Sequence, residues 1–163
     1  MTLNSNQFLQ GIEVGFCDRN TCCFNPIPVV VASTQSTAIG VGVAVSLATN
    51  TVNTIPKIVA ATGTSTTAQN VFGFTFIHAH NNSFGANDRT DVLPVDSGAI
   101  IYLKAEGAIS AGALLSYTIS GGTVDTAAAG ETIIGQALIG AAAAGDVIPV
   151  YLNQPFGAAV PSA

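Results

Sequence analysis

Charge is the scarcest property of this sequence. Charged residues make up 8% of the 163 residues, against about 25% in a typical soluble domain. No charged residue occurs from Asn20 to Pro56, and none occurs from Ile58 to Asn87. A free monomer normally keeps charge on its surface for solubility. The absence of charge over these spans therefore indicates that the chain buries much of its surface against other chains. The alternative interpretation is a Ser- and Thr-rich extracellular β-domain.

Positive charge is especially rare. The four basic residues are Arg19, Lys57, Arg89 and Lys104, they are scattered along the chain, and the net charge is −5. Nucleic-acid binding needs a basic stripe that neutralises phosphates. The composition therefore predicts that nucleic acid is not a partner.

Long apolar runs are also missing. The longest nearly apolar run, Ile39–Ala48, is about half of the roughly 20 residues that a membrane-spanning helix needs. The N-terminal stretch MTLNSNQFLQG lacks the basic region and the apolar region of a secretory signal peptide. We therefore predict no membrane partner, and synthesis in a cytoplasm without export by that route.

Cysteine is too sparse for a disulfide framework. The three cysteines, Cys17, Cys22 and Cys23, are odd in number and clustered, unlike the even, spaced sets of disulfide-stapled domains. Their C-x4-CC spacing could contribute to a metal site, but it supplies at most three thiolates and no flanking histidine. Reduced thiols that pack as small hydrophobic groups in a reducing cytosol are the favoured interpretation.

Motifs for catalysis are absent as well. The sequence holds no G-x-S-x-G nucleophile elbow, no phosphate-binding loop and no dinucleotide fingerprint. His78 and His80 fall on one side of a predicted strand and could hold Zn²⁺, with Asp88 or Asp91 as a further ligand. A polar strand end is the alternative and favoured interpretation. We predict that the chain is not an enzyme, has no catalytic residues and uses no cofactor or metal.

Short β-strands are what the sequence has in abundance. After Pro28, apolar alternation and turn signals recur about every 8–12 residues, as in β-sandwiches and barrels. The candidate strands are Val29–Ala32, Ile39–Leu47, Lys57–Ala61, Val71–His80, Asp91–Val95, Ile100–Lys104, Leu114–Thr118, Gly122–Asp125, Thr132–Ile139 and Val147–Leu152. We predict an all-β fold with a single compact barrel or sandwich, of jelly-roll or β-tulip/β-clip type.

The two ends of the chain differ from this β-region. Residues 1–28 carry all three cysteines and end in Asn25-Pro-Ile-Pro28, where proline favours an extended chain. We predict an N-terminal arm over 1–28, a β-domain over 29–154 and a loose C-terminal tail over 155–163. The arm is expected to pack through its apolar side chains, Phe8, Ile12, Val14, Phe16 and Phe24.

Alanine and glycine concentrate around two turns near the C-terminus. The segments Ala108–Ala113 and Ala141–Gly145 place small uncharged side chains where soluble proteins usually place charge. Small side chains permit close approach of a neighbouring chain and lose little entropy when they are buried. These segments therefore predict an interface, with candidate residues Ala108, Ile109, Ala111, Ala142 and Ala143.

Several segments resemble the capsid decoration, or head cement, proteins of tailed bacteriophages. In that family a G-x-I-x-A-G turn precedes a strand, and a G-x-A-L…A-A-G-D segment leads into a last apolar strand. The resemblance covers roughly residues 56–153 and leaves the cysteine-containing arm without a counterpart. The segments that carry it are Val71–Phe76, Ala99–Leu103, Gly107–Leu114, Glu131–Leu138 and Ala144–Val150.

The resemblance implies a structural virion protein that binds the outer surface of a phage capsid. Such proteins stabilise the head by bridging subunits of the major capsid protein, and they associate with copies of themselves as dimers or trimers. The implied location is the capsid exterior, after synthesis in the host cytoplasm. The resemblance leaves the choice of dimer or trimer open, together with the lattice positions occupied and the surface that faces the capsid.

Two alternatives stand beside this interpretation. One is a tail, fibre or adhesin β-module that binds a receptor, although three tyrosines and no tryptophan make a sugar-binding platform less favoured. The other is a small β-barrel enzyme or metal-binding domain that uses His78 and His80. Two measurements, the copy number of the chain in virions and its retention of metal after purification, would distinguish these three interpretations.

Overall fold

The computed structural model describes residues 14–15, 17, 26–49, 55–62, 70–77 and 82–161. This part of the chain contains twelve strands and no helix, so the all-β prediction is confirmed. The strands are β1 (Ile27–Val31), β2 (Ile39–Gly40), β3 (Ala44–Leu47), β4 (Lys57–Ala60), β5 (Gly73–Thr75), β6 (Ser83–Phe84), β7 (Arg89–Pro94), β8 (Ile100–Lys104), β9 (Leu114–Thr118), β10 (Thr123–Thr126), β11 (Gly135–Ala137) and β12 (Val147–Tyr151).

Five strands close into a barrel in the order β1-β4-β3-β5-β7, and β7 pairs back onto β1. The β1–β4 pair is parallel and the other four pairs are antiparallel. Closure removes the unpaired strand edges on which other chains could add a strand. Aliphatic and aromatic side chains form a buried cluster in the barrel, and the short β2–β6 pair contributes Ile39 and Phe84 to it. The buried members of this cluster are Val29, Val31, Ile39, Val45, Ile58, Phe84 and Val92.

The remaining strands form an antiparallel sheet in the order β10-β9-β11-β12-β8. A parallel bridge between Ala105 and Val124 joins the end of β8 to β10, so the two sides of this sheet approach each other. Period-two alternation along its strands turns one set of side chains inward. The buried inward set includes Ile101, Leu103, Leu115, Tyr117 and Val150.

One hydrophobic core joins the barrel to the sheet. Phe74 and Leu93 of the barrel lie in the same buried cluster as the inner face of the sheet. Neighbouring residues of β7 divide between the two cores, because Val92 lies in the barrel cluster and Leu93 in the shared one. The rings of Phe74 and Tyr117 meet edge to face, with centroids 5.6 Å apart and planes inclined by 73°. This shared core places the sheet, and the loops it carries, firmly against the barrel.

The segment that precedes the barrel crosses the junction between barrel and sheet. The Gly15 N–H donates to the Tyr102 carbonyl on β8 at 2.8 Å, and the Gly15 carbonyl accepts from the Ile77 N–H at 2.9 Å. Cys17 is buried and forms an antiparallel bridge with Ile101. The edge of the sheet at β8 is therefore paired with the chain's own N-terminal segment.

All ten predicted strands overlap observed ones, and two of them, β8 and β9, begin and end where the sequence predicts. The prediction of one continuous strand over Ile39–Leu47 is wrong. Gly42 has φ +69°, which turns the chain between β2 and β3. Ile39 and Val45 are both buried, whereas Leu47 stands exposed, so these positions do not form one aliphatic face. The short strand β6 falls outside every predicted strand.

The ends of the β-domain also differ from the predicted boundaries. Strand β1 begins at Ile27, two residues before the predicted start of the β-domain. The tail predicted to be loose over 155–163 is hydrogen-bonded along its described part. The Ile133 N–H donates to the Ala158 carbonyl at 2.8 Å, and the Val160 N–H donates to the Glu131 carbonyl at 3.0 Å. Residues 158–160 therefore pack as an additional strand-like segment of the β-domain, with an antiparallel bridge between Thr132 and Ala159, and residues 156–157 form the turn before it.

Candidate interaction surface

Two loops that are distant in sequence lie side by side at one end of the sheet. Ile109 and Ala141 form an antiparallel bridge in which each N–H donates to the other's carbonyl at 2.9 Å. The Gly112 N–H donates to the Ala137 carbonyl at 2.8 Å, which fixes the first loop to the end of β11. We call the combined surface of residues 107–113 and 139–146 the small-residue surface.

Four of the five candidate interface residues in these loops face solvent. Ala108, Ala111, Ala142 and Ala143 are exposed. Ile109 is only 4% exposed and belongs to the hydrophobic core, so its side chain does not form part of the exposed surface. Its side chain instead anchors the loop, because burying an aliphatic side chain of this size stabilises by about 1.5–3 kcal/mol.

Gly140 allows the two loops to approach closely. A Cβ atom added at this position would lie 2.6 Å from the Ile109 carbonyl oxygen and 3.2 Å from the Ala111 nitrogen. No side chain fits there without displacing backbone. Glycine is therefore required at this point for the loops to share one surface.

Asp146 is the one charged residue within 107–113 and 139–146, and its carboxylate is directed at the backbone. One oxygen, Oδ2, accepts the N–H groups of Ala142 at 2.8 Å and Ala143 at 3.0 Å. Two charge-assisted hydrogen bonds of this kind hold the loop in one conformation. The small-residue surface therefore presents mainly alanine and glycine on a pre-organised backbone, with the exposed Asp146 carboxylate as its single charge.

Ile139 projects from this surface with 58% of its area exposed, the largest exposed fraction among the large apolar residues of the described chain. The sequence pattern does not indicate this exposure, because it predicts one strand over Thr132–Ile139. The strand ends at Ala137, and Leu138 and Ile139 form a bend. Gly140, directly after them, is the signal that could have indicated an earlier strand end.

The outer face of the sheet adjoins the small-residue surface. Leu114, Leu138 and Val147 are 40%, 44% and 36% exposed on this face. Together with Ile139 they account for four of the seven exposed large apolar residues in the described chain. Such concentration of apolar area on one side of a soluble domain is typical of an interaction site.

The predicted arm residues add little to the candidate interaction surface. Phe8, Ile12, Phe16 and Phe24 lie outside the described residues. Val14 is described and packs within its own chain, because a Cβ added at Gly42 would meet its side chain. This contact agrees with an arm that packs by apolar side chains, and it places Val14 away from the small-residue surface.

The described residues offer little for metal chemistry. No group of three or more His, Cys, Asp or Glu side chains among them could hold a metal ion. His78 and His80 lie outside the described residues. Asp88, the ligand suggested for them, accepts the Gly85 N–H at 2.7 Å within a turn. Its carboxylate therefore has a local structural role.

Comparisons with known proteins assign no family. No protein-family model and no curated protein sequence matches this chain. The described part of the chain also contains no helix of the length and apolar character needed to cross a membrane. The small-residue surface and the adjoining outer face are therefore the features on which a function can be based.

Proposed function

We propose that this chain is a structural, non-enzymatic virion protein that binds the outer surface of a phage capsid and stabilises the shell by bridging major capsid protein subunits. The observation that carries the proposal is the small-residue surface, where alanines from two distant loops form one pre-organised patch that holds a single charge. The sequence resemblance to head decoration proteins supplies the partner.

The chemistry of the small-residue surface favours docking at low free-energy cost. Burying an alanine side chain costs essentially no rotamer entropy. The only carboxylate in the patch, that of Asp146, already accepts two hydrogen bonds from the loop. Docking therefore requires no ordering of this loop, which is one of the main costs of association.

A capsid lattice suits such a surface. Each contact over a few alanines is modest, but a shell repeats it at every equivalent position. A protein that touches two capsid subunits, or associates with its own copies, gains from effective concentration as well as from each contact. The proposed partners are the major capsid protein and further copies of this chain, on the capsid exterior after synthesis in the host cytoplasm.

Copy number in purified particles tests the proposal. Quantitative mass spectrometry of virions should find this chain at an abundance comparable to that of the major capsid protein. A handful of copies per particle would contradict capsid decoration and favour the tail, fibre or adhesin module. Complete absence from particles would overturn a virion function altogether.

A further inference from the structure

The outer side of the barrel carries an open groove along β1 and β7. The groove has a volume of about 360 Å³, and we call it the barrel groove. The sheet leaves this part of β7 uncovered, because Leu93 enters the shared core whereas Arg89 stays exposed. The residues that line the barrel groove are Pro28, Val29, Ile55, Arg89, Thr90 and Asp91.

A row of side chains with two positive charges crosses this side of the barrel. Lys57 lies opposite Val30 on one side, and Arg89 lies opposite Val30 on the other. Their neighbours Ile58 and Val29 are buried inside the barrel, so strand alternation turns the three side chains of the row outward. The row, which we call the basic row, therefore holds two of the four basic residues of the chain.

An apolar contact lies next to the basic row. Pro28 and Ile55 form it, and Ile55 is 41% exposed. Pro28 precedes Val30 by two residues on β1, and two residues along a strand span about 7 Å. Asp91 lies opposite Pro28 and places a carboxylate beside the apolar contact. The barrel groove therefore offers an apolar contact and a positive contact at a defined separation.

Arg89 is suited to recognise a carboxylate. Its side chain is exposed, and within the part of the chain that the structure describes no hydrogen bond or ion pair engages its guanidinium. The guanidinium presents five N–H donors in a planar fork that matches the two oxygens of a carboxylate. A carboxylate can therefore reach Arg89 without displacing a partner from the described residues.

We propose that the barrel groove binds an extended peptide segment of another protein, which presents an apolar side chain and, two residues away, a carboxylate. Side chains two residues apart leave the same side of an extended segment about 7 Å apart, the separation of the two contacts. The apolar side chain covers Pro28 and Ile55, and the carboxylate accepts from Arg89. Because β1 is paired on both sides in the closed barrel, the segment binds through side chains and does not add a strand.

Charge complementarity selects an acidic segment. The chain as a whole carries a net charge of −5, so it repels acidic partners except where positive charge is concentrated, and the basic row is such a place. Asp91 repels a carboxylate at the apolar contact, which fixes the order of the two side chains in the groove. The inference does not depend on the proposed capsid function, because the barrel groove lies on the barrel and the small-residue surface is carried by the sheet.

A nuclear magnetic resonance titration of the purified full chain tests the proposal, with the capped peptide acetyl-Leu-Ala-Glu-amide as the probe. The amide signals of Val30, Arg89 and Asp91 should move, with a dissociation constant on the order of a millimolar. The same peptide with glutamine in place of glutamate should bind about tenfold more weakly, because it lacks the charge. Unmoved signals at these amides, equal affinity for the two peptides, or equal affinity for sodium acetate would each overturn the proposal.

Three variants test the assignment of residues. Arg89→Gln should weaken binding of the glutamate peptide about tenfold, and Asp91→Asn should tighten it about threefold by removing a like charge. Lys104→Gln is the matched control, because it removes one exposed positive charge on the sheet, outside the barrel groove. Unchanged affinity in Arg89→Gln would contradict the proposal.

The protein alone provides the last test. If the signals of Val30, Arg89 and Asp91 move when the protein is concentrated without peptide, a second copy occupies the barrel groove and the proposal is wrong. Signals that stay fixed over that range agree with a segment of another protein. Copy number in virions is a separate measurement, so either proposal can fail without the other.

Discussion

Gly15 and Gly42 lie against each other where the N-terminal segment crosses onto the barrel. A Cβ atom added to Gly15 would lie 2.7 Å from the Gly42 nitrogen. Both glycines have positive φ, +82° at Gly15 and +69° at Gly42. The contact brings the Gly15 backbone within hydrogen-bonding reach of both Tyr102 and Ile77, so it connects the sheet to the barrel.

Replacing Gly15 with alanine should therefore lower the free energy of unfolding by about 2 kcal/mol or more, since backbone strain and a steric clash add. Gly130→Ala is a close control. Gly130 has φ +80°, but an added Cβ there meets nothing within 4 Å. Gly130→Ala should lower the free energy of unfolding by about 1–2 kcal/mol, because only the strain of a positive φ is added. Chemical denaturation of both variants measures the difference, and equal losses would show that the Gly15–Gly42 contact contributes nothing.

Removing the Asp146 carboxylate should loosen the small-residue surface. Asp146→Ala takes away the acceptor of the Ala142 and Ala143 N–H groups, and we expect a loss of about 1 kcal/mol of stability. Hydrogen exchange at these two amides should become faster. Asp96→Ala, at an exposed turn between β7 and β8, is the control and should leave both amides unchanged. Unaltered exchange in Asp146→Ala would mean that the bridge between the loops suffices to order them.

The proposed capsid contact predicts that a charge on the small-residue surface weakens capsid binding. Ala143→Glu introduces a carboxylate that docking must desolvate, and we expect about tenfold lower affinity, which corresponds to about 1.4 kcal/mol. Ala129→Glu changes an exposed alanine in a turn outside this surface and should bind as the unmodified protein does. Occupancy on purified capsids measures both. Equal occupancy of the two variants would place the capsid contact elsewhere.

Stability should fall at alkaline pH because of Tyr117. Burial raises the pKa of Tyr117 above its ordinary value of 10.0, and a hydrogen bond with the Ala44 backbone acts in the opposite direction. The folded state therefore holds the phenol proton more tightly than the unfolded state does. The stability that results is complete below pH 10.0 and is lost as the pH rises through the folded-state pKa.

Tyr117→Phe should remove this part of the alkaline loss. At neutral pH the variant should be less stable by about 1 kcal/mol, because the Ala44 backbone group loses its partner. Denaturation measured across the alkaline range gives both effects. Tyr151→Phe, on the outer face, retains Tyr117 and should keep the alkaline slope. An unchanged slope in Tyr117→Phe would assign the loss to other groups.

The local sequence pattern was sufficient to predict where most strands occur. Period-two alternation predicts β8 and β9 with correct ends, and turn residues mark the connections between them. The candidate surface was partly predictable too, because the alanine and glycine runs stand out in composition. Ile109 shows the limit: its neighbours are exposed, yet its own side chain is buried, and only the bridge to Ala141 explains the difference.

The sequence by itself determined that the chain is all-β, poor in charge and rich in small residues at two turns, since these are properties of composition and short-range pattern. The tertiary structure decided which strands pair, that the loop at Ala108 meets the loop at Ala142, and that Val92 and Leu93 enter different cores. The physical reason is that strand register depends on contacts between residues far apart in sequence. No local pattern specifies the partner of a strand or the surface that two distant loops build together.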